Sequence, residues 1–309
     1  MVVTHGALSS HRQRHALTVG NFDGVHRGHA AMLARVVARS RELGMPGCVL
    51  TFEPHPREFF SPAAAPARLT RLREKLELLA RAGIERTHVA RFDARFAGLT
   101  PERFIDEVLV AGLGAAWLLV GRDFRFGARR AGDFALLERA AARSGFDLEA
   151  MPEVTERGER VSSSAVRAAL GEGNLRRAEQ LLGRRYTMSG RVVHGEALGK
   201  KLGFPTANIV LRRRTPMTGI FVVEAELEET QRRLRGAASI GTRPTVREHA
   251  QPLLEVHLLD FEGVLYGKHL RVTFLEKLRA EQKFDGLEAL RAAIAADVGR
   301  AKEYFAQHG

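Results

Sequence analysis

The sequence predicts an α/β domain built on a parallel sheet, followed by a small antiparallel β-barrel with a C-terminal helix. Three observations carry this. From His15 to about residue 150, apolar β-rich runs alternate with helical stretches, the pattern of a parallel sheet covered on both faces. From Tyr186 the strand-like runs are separated by glycine and proline turns, with no helix of useful length between them. At the end, Leu287, Leu290, Ile294 and Val298 fall on one helical face behind Asp285, a capping residue.

Taken in order, residues 1–15 are polar, lack the apolar core of a secretory signal, and read as a flexible arm. Strands are expected at 16–19, 48–52, 87–90, 117–120 and 146–150. Between them, Leu72, Leu76 and Leu79 mark a helix closed by Gly83. Thr100-Pro101 reads as an N-cap with proline at the first helical position, ahead of Phe104 and Val108. Phe134 and Leu137 open another helix, closed by Gly145. Asn174 caps an amphipathic connector over 175–182 that stops at Gly183. The expected domains are therefore 1–184 and 185–309. In the second, strands are expected at 187–194, 220–227, 237–240, 253–261 and 270–275.

Composition excludes several classes. A single cysteine, Cys48, in an apolar run rules out a disulfide framework and a cysteine-rich metal site. No apolar run approaches the roughly 18 residues of a membrane span, so a cytoplasmic protein is expected. The net charge of +12 fits nucleic acid or phosphate-rich substrates. The arginines are spread along the chain, and RNP1, zinc-finger and basic-zipper patterns are absent, which counts against sequence-specific nucleic-acid binding and leaves phosphate-rich substrates or a simply arginine-rich composition.

The first domain is organised around Gly20-Asn21-Phe22-Asp23-Gly24-Val25-His26-Arg27-Gly28-His29, directly after the first expected strand. Strand, glycine turn and helix start together present backbone N–H groups and the helix dipole to an anion, with His26 and His29 at that end. Three further stretches fall at corresponding positions. Glu53-Pro54-His55-Pro56-Arg57-Glu58 is a rigid turn with few free N–H groups. Gly121-Arg122-Asp123-Phe124-Arg125-Phe126-Gly127 offers aromatics for a planar ring and arginines for a phosphate. Val161-Ser162-Ser163-Ser164-Ala165-Val166-Arg167 puts hydroxyls at a helix start with a guanidinium one turn on, which suits a polyphosphate.

In the second domain, Gly195-Glu196-Ala197-Leu198-Gly199-Lys200-Lys201 fails as a P-loop. Three residues separate its glycines where four are needed, and no Ser or Thr follows the lysine. A flexible, lysine-bearing loop can still cover phosphates with its amides. Leu202-Gly203-Phe204-Pro205-Thr206-Ala207-Asn208 follows, and Thr206 and Asn208 carry hard oxygen ligands suited to Mg²⁺. Leu254, Val256 and Leu258 share one strand face and Glu255 and His257 the other.

The first of these segments resembles the H-x-G-H signature of the nucleotidylyltransferase superfamily, and its fuller form resembles the bacterial bifunctional riboflavin kinase/FAD synthetases. T-F-x-P-H-P-x-E, V-G-x-D-F-x-F-G and V-S-S-S-A-V-R resemble further motifs of the FMN adenylyltransferase module. G-x-x-L-G-F-P-T-A-N-I, Ser239-Ile240-Gly241-Thr242-Arg243-Pro244-Thr245, Leu259-Asp260-Phe261 and Leu265-Tyr266-Gly267 resemble motifs of riboflavin kinases. Ser164, Ala30, Arg185 and Gly219-Ile220-Phe221 depart from the usual residues without removing a reacting group.

The resemblance covers nearly the whole chain. It implies a doubly wound, Rossmann-like transferase domain and a barrel kinase domain. Riboflavin would be phosphorylated to FMN, and FMN adenylylated to FAD with release of pyrophosphate, both with MgATP. In the transferase, Gly20, Asn21, Phe22, Asp23, Gly24, His26, His29, Ser163 and Arg167 would hold ATP, with the two histidines catalytic. Pro54, His55, Pro56, Asp123, Phe124 and Phe126 would hold the flavin. In the kinase, Gly195, Gly199, Lys200, Gly203, Pro205, Thr206 and Asn208 would hold ATP, Thr206 and Asn208 the Mg²⁺, and Glu255 would be the base. Flavins are substrates and products. No nucleic-acid or membrane partner is expected, and the chain is expected to be a monomer or weak homo-oligomer. Rival readings are a chain with one activity retained, transfer to another phosphate-bearing acceptor, or a non-enzymatic nucleic-acid binder.

Overall fold

The computed structural model describes all residues except 7–12, 196–197, 212, 243–251 and 309. The chain divides into two compact units, Met1–Pro66 with Thr70–Ser162, and Ala67–Leu69 with Ser163–Gly309.

The first unit contains strands β1 (Val2–His5), β2 (His15–Val19), β3 (Gly47–Glu53), β4 (Arg86–Arg91), β5 (Ala115–Gly121) and β6 (Asp147–Met151), in one parallel sheet of order β1-β4-β3-β2-β5-β6. Its connections are α1 (Arg27–Leu43), α2 (Pro56–Phe60), α3 (Leu72–Arg81), α4 (Ala94–Ala97), α5 (Pro101–Arg103), which runs on as a π-helix over Phe104–Gly112, and α6 (Phe134–Ser144). A two-strand ribbon, β7 (Thr155–Glu156) and β8 (Glu159–Arg160), ends the unit. Successive strand residues face opposite sides. Leu17, Leu50 and Leu118 enter one core with Phe104, Leu109 and Leu137; Ala16, Val49, Trp117 and Leu119 enter the other with Phe22, Leu33, Val36 and Leu79. Burial on both faces is why these strands read as unbroken apolar runs.

The expected flexible arm is corrected in part. Val2–His5 pairs with β4 as the sheet's outer strand. The Thr4 hydroxyl lies 2.9 Å from Nδ1 of the buried His88. The arm was misread because an edge strand buries too little apolar surface to show a periodic pattern. The rest of the arm, at 7–12, lies outside the described residues.

The second unit opens with α7 (Ser163–Gly171) and α8 (Leu175–Leu182), the latter capped by the Asn174 side chain and ended by left-handed Gly183. The expected boundary after residue 184 follows α8, while the division into compact units precedes α7. Strands β9 (Thr187–Arg191), β10 (Ala207–Val210), β11 (Gly219–Leu227), β12 (Arg232–Thr242), β13 (Pro252–Leu258) and β14 (His269–Arg279) pair antiparallel in the order β10-β13-β12-β11-β14-β9. A bridge between Val193 and Asn208 nearly closes the six strands into a barrel. A helical turn, α9 (Leu198–Lys201), follows β9, and α10 (Leu287–His308) packs over β11 and β12 through Ala301 and Phe305 against Val222 and Ala237. Asp297 fixes that helix. It accepts from Arg279 Nε and Nη2 of β14 (3.1 and 2.6 Å) and from Arg300 Nη2 (2.5 Å).

Candidate active sites

The sheet order reverses at β2, whose neighbours β3 and β5 follow it in opposite directions. Ligands of open α/β sheets bind beyond the carboxyl ends of the strands at such a point. The loop after β2 occupies that place. Its residues Phe22 and Val25 have φ of 48° and 40°, left-handed conformations that cost about 1–3 kcal/mol each unless the surroundings enforce them. The enforcement is visible. Buried Asp23 accepts at Oδ1 from the Thr70 amide (3.0 Å) and hydroxyl (3.2 Å), and the Thr70 oxygen accepts from the Gly24 amide (3.0 Å). Thr51 donates to the Asn21 carbonyl (3.3 Å). Asn21 Oδ1 is buried and accepts no hydrogen bond among the described residues.

The loop delivers His26 to the N-cap of α1, where Nδ1 accepts from the His29 amide at 3.2 Å. The two imidazoles stack with centroids 3.7 Å apart, and the Phe22 ring lies 4.9 Å from His29. Gly28 lies against the His26 ring, where a Cβ would come to 3.2 Å of it. Two ring donors thus stand in one stack at the positive end of a 17-residue helix.

At the end of β3, His55 caps α2 by accepting from the Arg57 amide (3.1 Å), while Glu58 accepts from the His55 amide (3.3 Å). Pro54 follows a cis peptide bond and Pro56 opens α2. Phe59 and the exposed Phe60 on this helix pack edge-on against Phe92, which also meets Phe52 and Phe96. After β5, the rings of Phe124 and Phe126 stack with centroids 5.5 Å apart. Asp123 points to solvent and accepts from Arg160 Nη2 at 2.8 Å. Ser163 and Arg167 lie on α7 in the second unit, where Arg167 Nε donates to the Ala67 carbonyl at 2.6 Å.

The second unit has its own constellation. Pairing of β10 with β13 sets Asn208 opposite Glu255, and pairing of β13 with β12 sets Glu255 opposite Ser239. Beside this row lies a cavity of about 320 Å³ lined by Thr206, Ser239, Glu255, His257, Arg279 and Glu281, and on the helix side by Leu290, Ile294 and Val298. His257 Nδ1 donates to the Pro205 carbonyl (2.9 Å), tying the Pro205–Thr206 turn to β13. Burial raises the Glu281 carboxyl above the usual carboxylate range; Glu255 adds to this and Arg279 opposes it. Gly195 sits where a Cβ would overlap the Asn208 amide (2.7 Å to Nδ2), and Gly199 where one would strike the Phe204 carbonyl (2.5 Å). Gly203 has φ 89°, and Lys200 is exposed on α9.

Asn208 Oδ1 is buried without a hydrogen bond from any described residue. With the Thr206 hydroxyl two residues away it fits a hard cation completed by phosphate oxygens and water. A cage of three or more His, Cys, Asp or Glu side chains is absent among the described residues.

Comparison with known proteins decides between the readings. Residues 8–165 match the family model for FAD synthetase and residues 182–305 that for riboflavin kinase. The bifunctional riboflavin kinase/FMN adenylyltransferase of Escherichia coli K12 is 49% identical over 302 residues, 97% of this chain and 96% of the relative. The chain belongs to the bifunctional riboflavin kinase/FMN adenylyltransferase family. The family's enzymes from Pseudomonas fluorescens (49% identical, 92% of this chain and 91% of the relative) and Haemophilus influenzae (44%, 94% of each) are similar along their length. A crystal structure described as a macrolide-efflux protein from Streptococcus pneumoniae has the same overall fold, with TM-score 0.81 at 27% identity over 98% of this chain and 99% of that one. No helix among the described residues of this family member is long and apolar enough to cross a membrane.

Sequence reasoning missed Thr70, the Phe59/Phe60/Phe92/Phe96 cluster, and Arg279 with Glu281. Each becomes part of a site only through pairing of distant segments. A paired aromatic step after the proline turn was the one available signal. Of the family strings, Glu196, Ala197 and 243–245 lie outside the described residues.

Proposed function

We propose that the two activities of this bifunctional riboflavin kinase and FMN adenylyltransferase divide between residues 1–184, which adenylylate FMN, and 185–309, which phosphorylate riboflavin. The observation that carries the kinase half is Glu255 opposite Asn208 beside the 320 Å³ cavity. The riboflavin 5′-hydroxyl attacks the γ-phosphorus of ATP, Glu255 accepts its proton, the bond to the β-phosphate oxygen breaks, and ADP leaves. Thr206 and Asn208 would hold Mg²⁺, which neutralises phosphate charge when bound. The amides of Gly195 and of 198–203, with Lys200, cover the phosphates.

In the transferase half an FMN phosphate oxygen attacks the α-phosphorus of ATP and pyrophosphate leaves, without a covalent enzyme intermediate. The stacked His26 and His29 donate to phosphate oxygens as charge builds on them. Gly20–Gly24 supplies backbone to the nucleotide, and Asn21 Oδ1 is free to accept from it. The flavin ring rests on the half-buried Phe124 after β5, backed by the buried Phe126, and on the turn after β3, which buried His55 caps and Pro54 and Pro56 hold. The assignment of Ser163 and Arg167 to pyrophosphate rests on their motif, and that of Asp123 to the flavin on its place between the two aromatics' loop and the sheet. We place the enzyme in the cytoplasm, as a monomer or weak homo-oligomer without a nucleic-acid partner.

Incubation of the protein with riboflavin, ATP and Mg²⁺, followed by separation of the flavins, tests the reading. FMN and then FAD are expected. Absence of FMN removes the kinase assignment, and FMN without FAD removes the transferase assignment.

A further inference from the structure

The loop after β5 ends in a turn that local physics does not favour. Phe126 and Gly132 exchange backbone hydrogen bonds (3.2 and 3.0 Å), and the Ala131 amide donates to the Ala128 carbonyl (3.2 Å). The two residues inside this hairpin turn, Arg129 and Arg130, both have positive φ, 54° and 57°. That is the type I′ arrangement, where Asn-Gly is the favoured pair. Two arginines in left-handed conformation are a strained choice of sequence, and such strain persists where rigid surroundings hold it and clusters at functional sites. The surroundings are rigid. The Ala128 amide donates to the Leu99 carbonyl (2.7 Å), Gly127 lies where a Cβ would strike Pro101 (2.7 Å from its N), and Gly132 lies flat against the Phe126 ring.

The charges at the tip are uncommitted. The other two arginines of the loop are engaged, Arg125 with Asp133 (3.3 Å) and Arg122 over the Phe134 ring (5.7 Å). Neither the Arg129 nor the Arg130 guanidinium forms a hydrogen bond or ion pair with a described residue, and both are exposed. The turn lies on the β5 loop that carries the Phe124–Phe126 stack, on the strand next to β2. We propose that Arg129 and Arg130 form the subsite for the phosphomonoester of FMN in the adenylylation reaction. A planar fork of donors suits a dianionic phosphate, and a pre-set turn spares the cost of ordering two long side chains on binding. The subsite selects FMN over unphosphorylated flavin. It rests on the proposed placement of the flavin ring at Phe124, which the buried Phe126 backs.

The test uses the full chain, supplied FMN and ATP, and lumiflavin, which carries neither phosphate nor phosphorylatable hydroxyl, as a competing ligand. In Arg129→Gln/Arg130→Gln the KM for FMN rises by about tenfold or more, as expected for loss of charge-assisted bonds, while the KM for ATP and the inhibition constant of lumiflavin stay as in the wild type. Arg129→Gly raises the KM for FMN and also raises Tm, because glycine relieves the left-handed strain. An unchanged KM for FMN in the double variant overturns the proposal. So does a rise in the KM for ATP alone, which would give the arginines to the nucleotide. In Phe124→Ala lumiflavin inhibits less well; if it inhibits equally, the flavin placement fails whatever the arginine result.

Discussion

At the residue scale, the proposed sites put the two reactions on different side chains, so single substitutions should separate them. On the proposed role of His29 as a donor to a phosphate, His29→Ala should slow FAD formation from FMN by roughly 10²–10³-fold, leaving phosphorylation of riboflavin intact. Glu255→Gln should do the converse, with FAD still formed from supplied FMN. Loss of both reactions in either folded variant, measured by product separation, would refute the division of labour. Cys48 makes a contrasting case. Its thiol is buried at 2% exposure and burial pushes its pKa up to about 12. Thiolate is the reactive form, so a thiol reagent at mildly alkaline pH should leave the native protein unlabelled and label it fully after unfolding.

At the scale of elements, α10 forms one wall of the cavity beside Glu255, the proposed kinase site, and is tied down at Asp297. Asp297→Ala leaves Arg279 without its carboxylate at a largely buried position, and should cost about 2–4 kcal/mol by denaturant unfolding. It should also raise the KM for riboflavin while the KM for FMN in adenylylation is unchanged. An unaltered cavity reaction with the full stability loss would show the ion pair to be an anchor only. A weaker tie joins α1 to β6, where Arg35 donates to both oxygens of Glu149 (2.8 and 2.7 Å). The Arg35 hydrogen bond holds the Glu149 carboxyl below the usual carboxylate range. Its contribution is therefore present above the ordinary carboxylate pKa and lost as pH falls through the lowered one. The pair is about a third exposed and so partly screened by solvent, so the loss should be no more than about 1 kcal/mol, and Glu149→Gln should flatten the acid limb of a Tm-versus-pH curve by no more than that.

At the scale of the whole molecule, a charge of +12 acts on two anionic substrates, ATP and FMN. Long-range attraction is screened beyond about 10 Å at 0.1 M salt, so kcat/KM for both should fall with ionic strength, and less steeply for neutral riboflavin at saturating ATP. An equal fall for riboflavin would point to salt acting on the fold.

Much of this was legible along the chain. The apolar runs of β2, β3 and β5, the Gly20–His29 loop, the Pro205–Asn208 turn and the alternation around Glu255 are local patterns, and local patterns declare strands, turns and helix starts. The edge strand Val2–His5 was not legible, because one buried edge leaves no period. Neither was Thr70, which braces Asp23 from 47 residues away, nor the placing of Glu281 in the same cavity as Glu255. By itself the sequence determined the two fold classes and the family, and it singled out the histidines, Thr206, Asn208 and Glu255 as the proposed reacting groups. Only the tertiary structure decided which residues stand together: the stack of His26 on His29, Glu255 between Asn208 and Ser239, and two arginines in a turn that prefers Asn-Gly. Register and loop strain are set by long-range pairing and packing, and a chain read one window at a time contains neither.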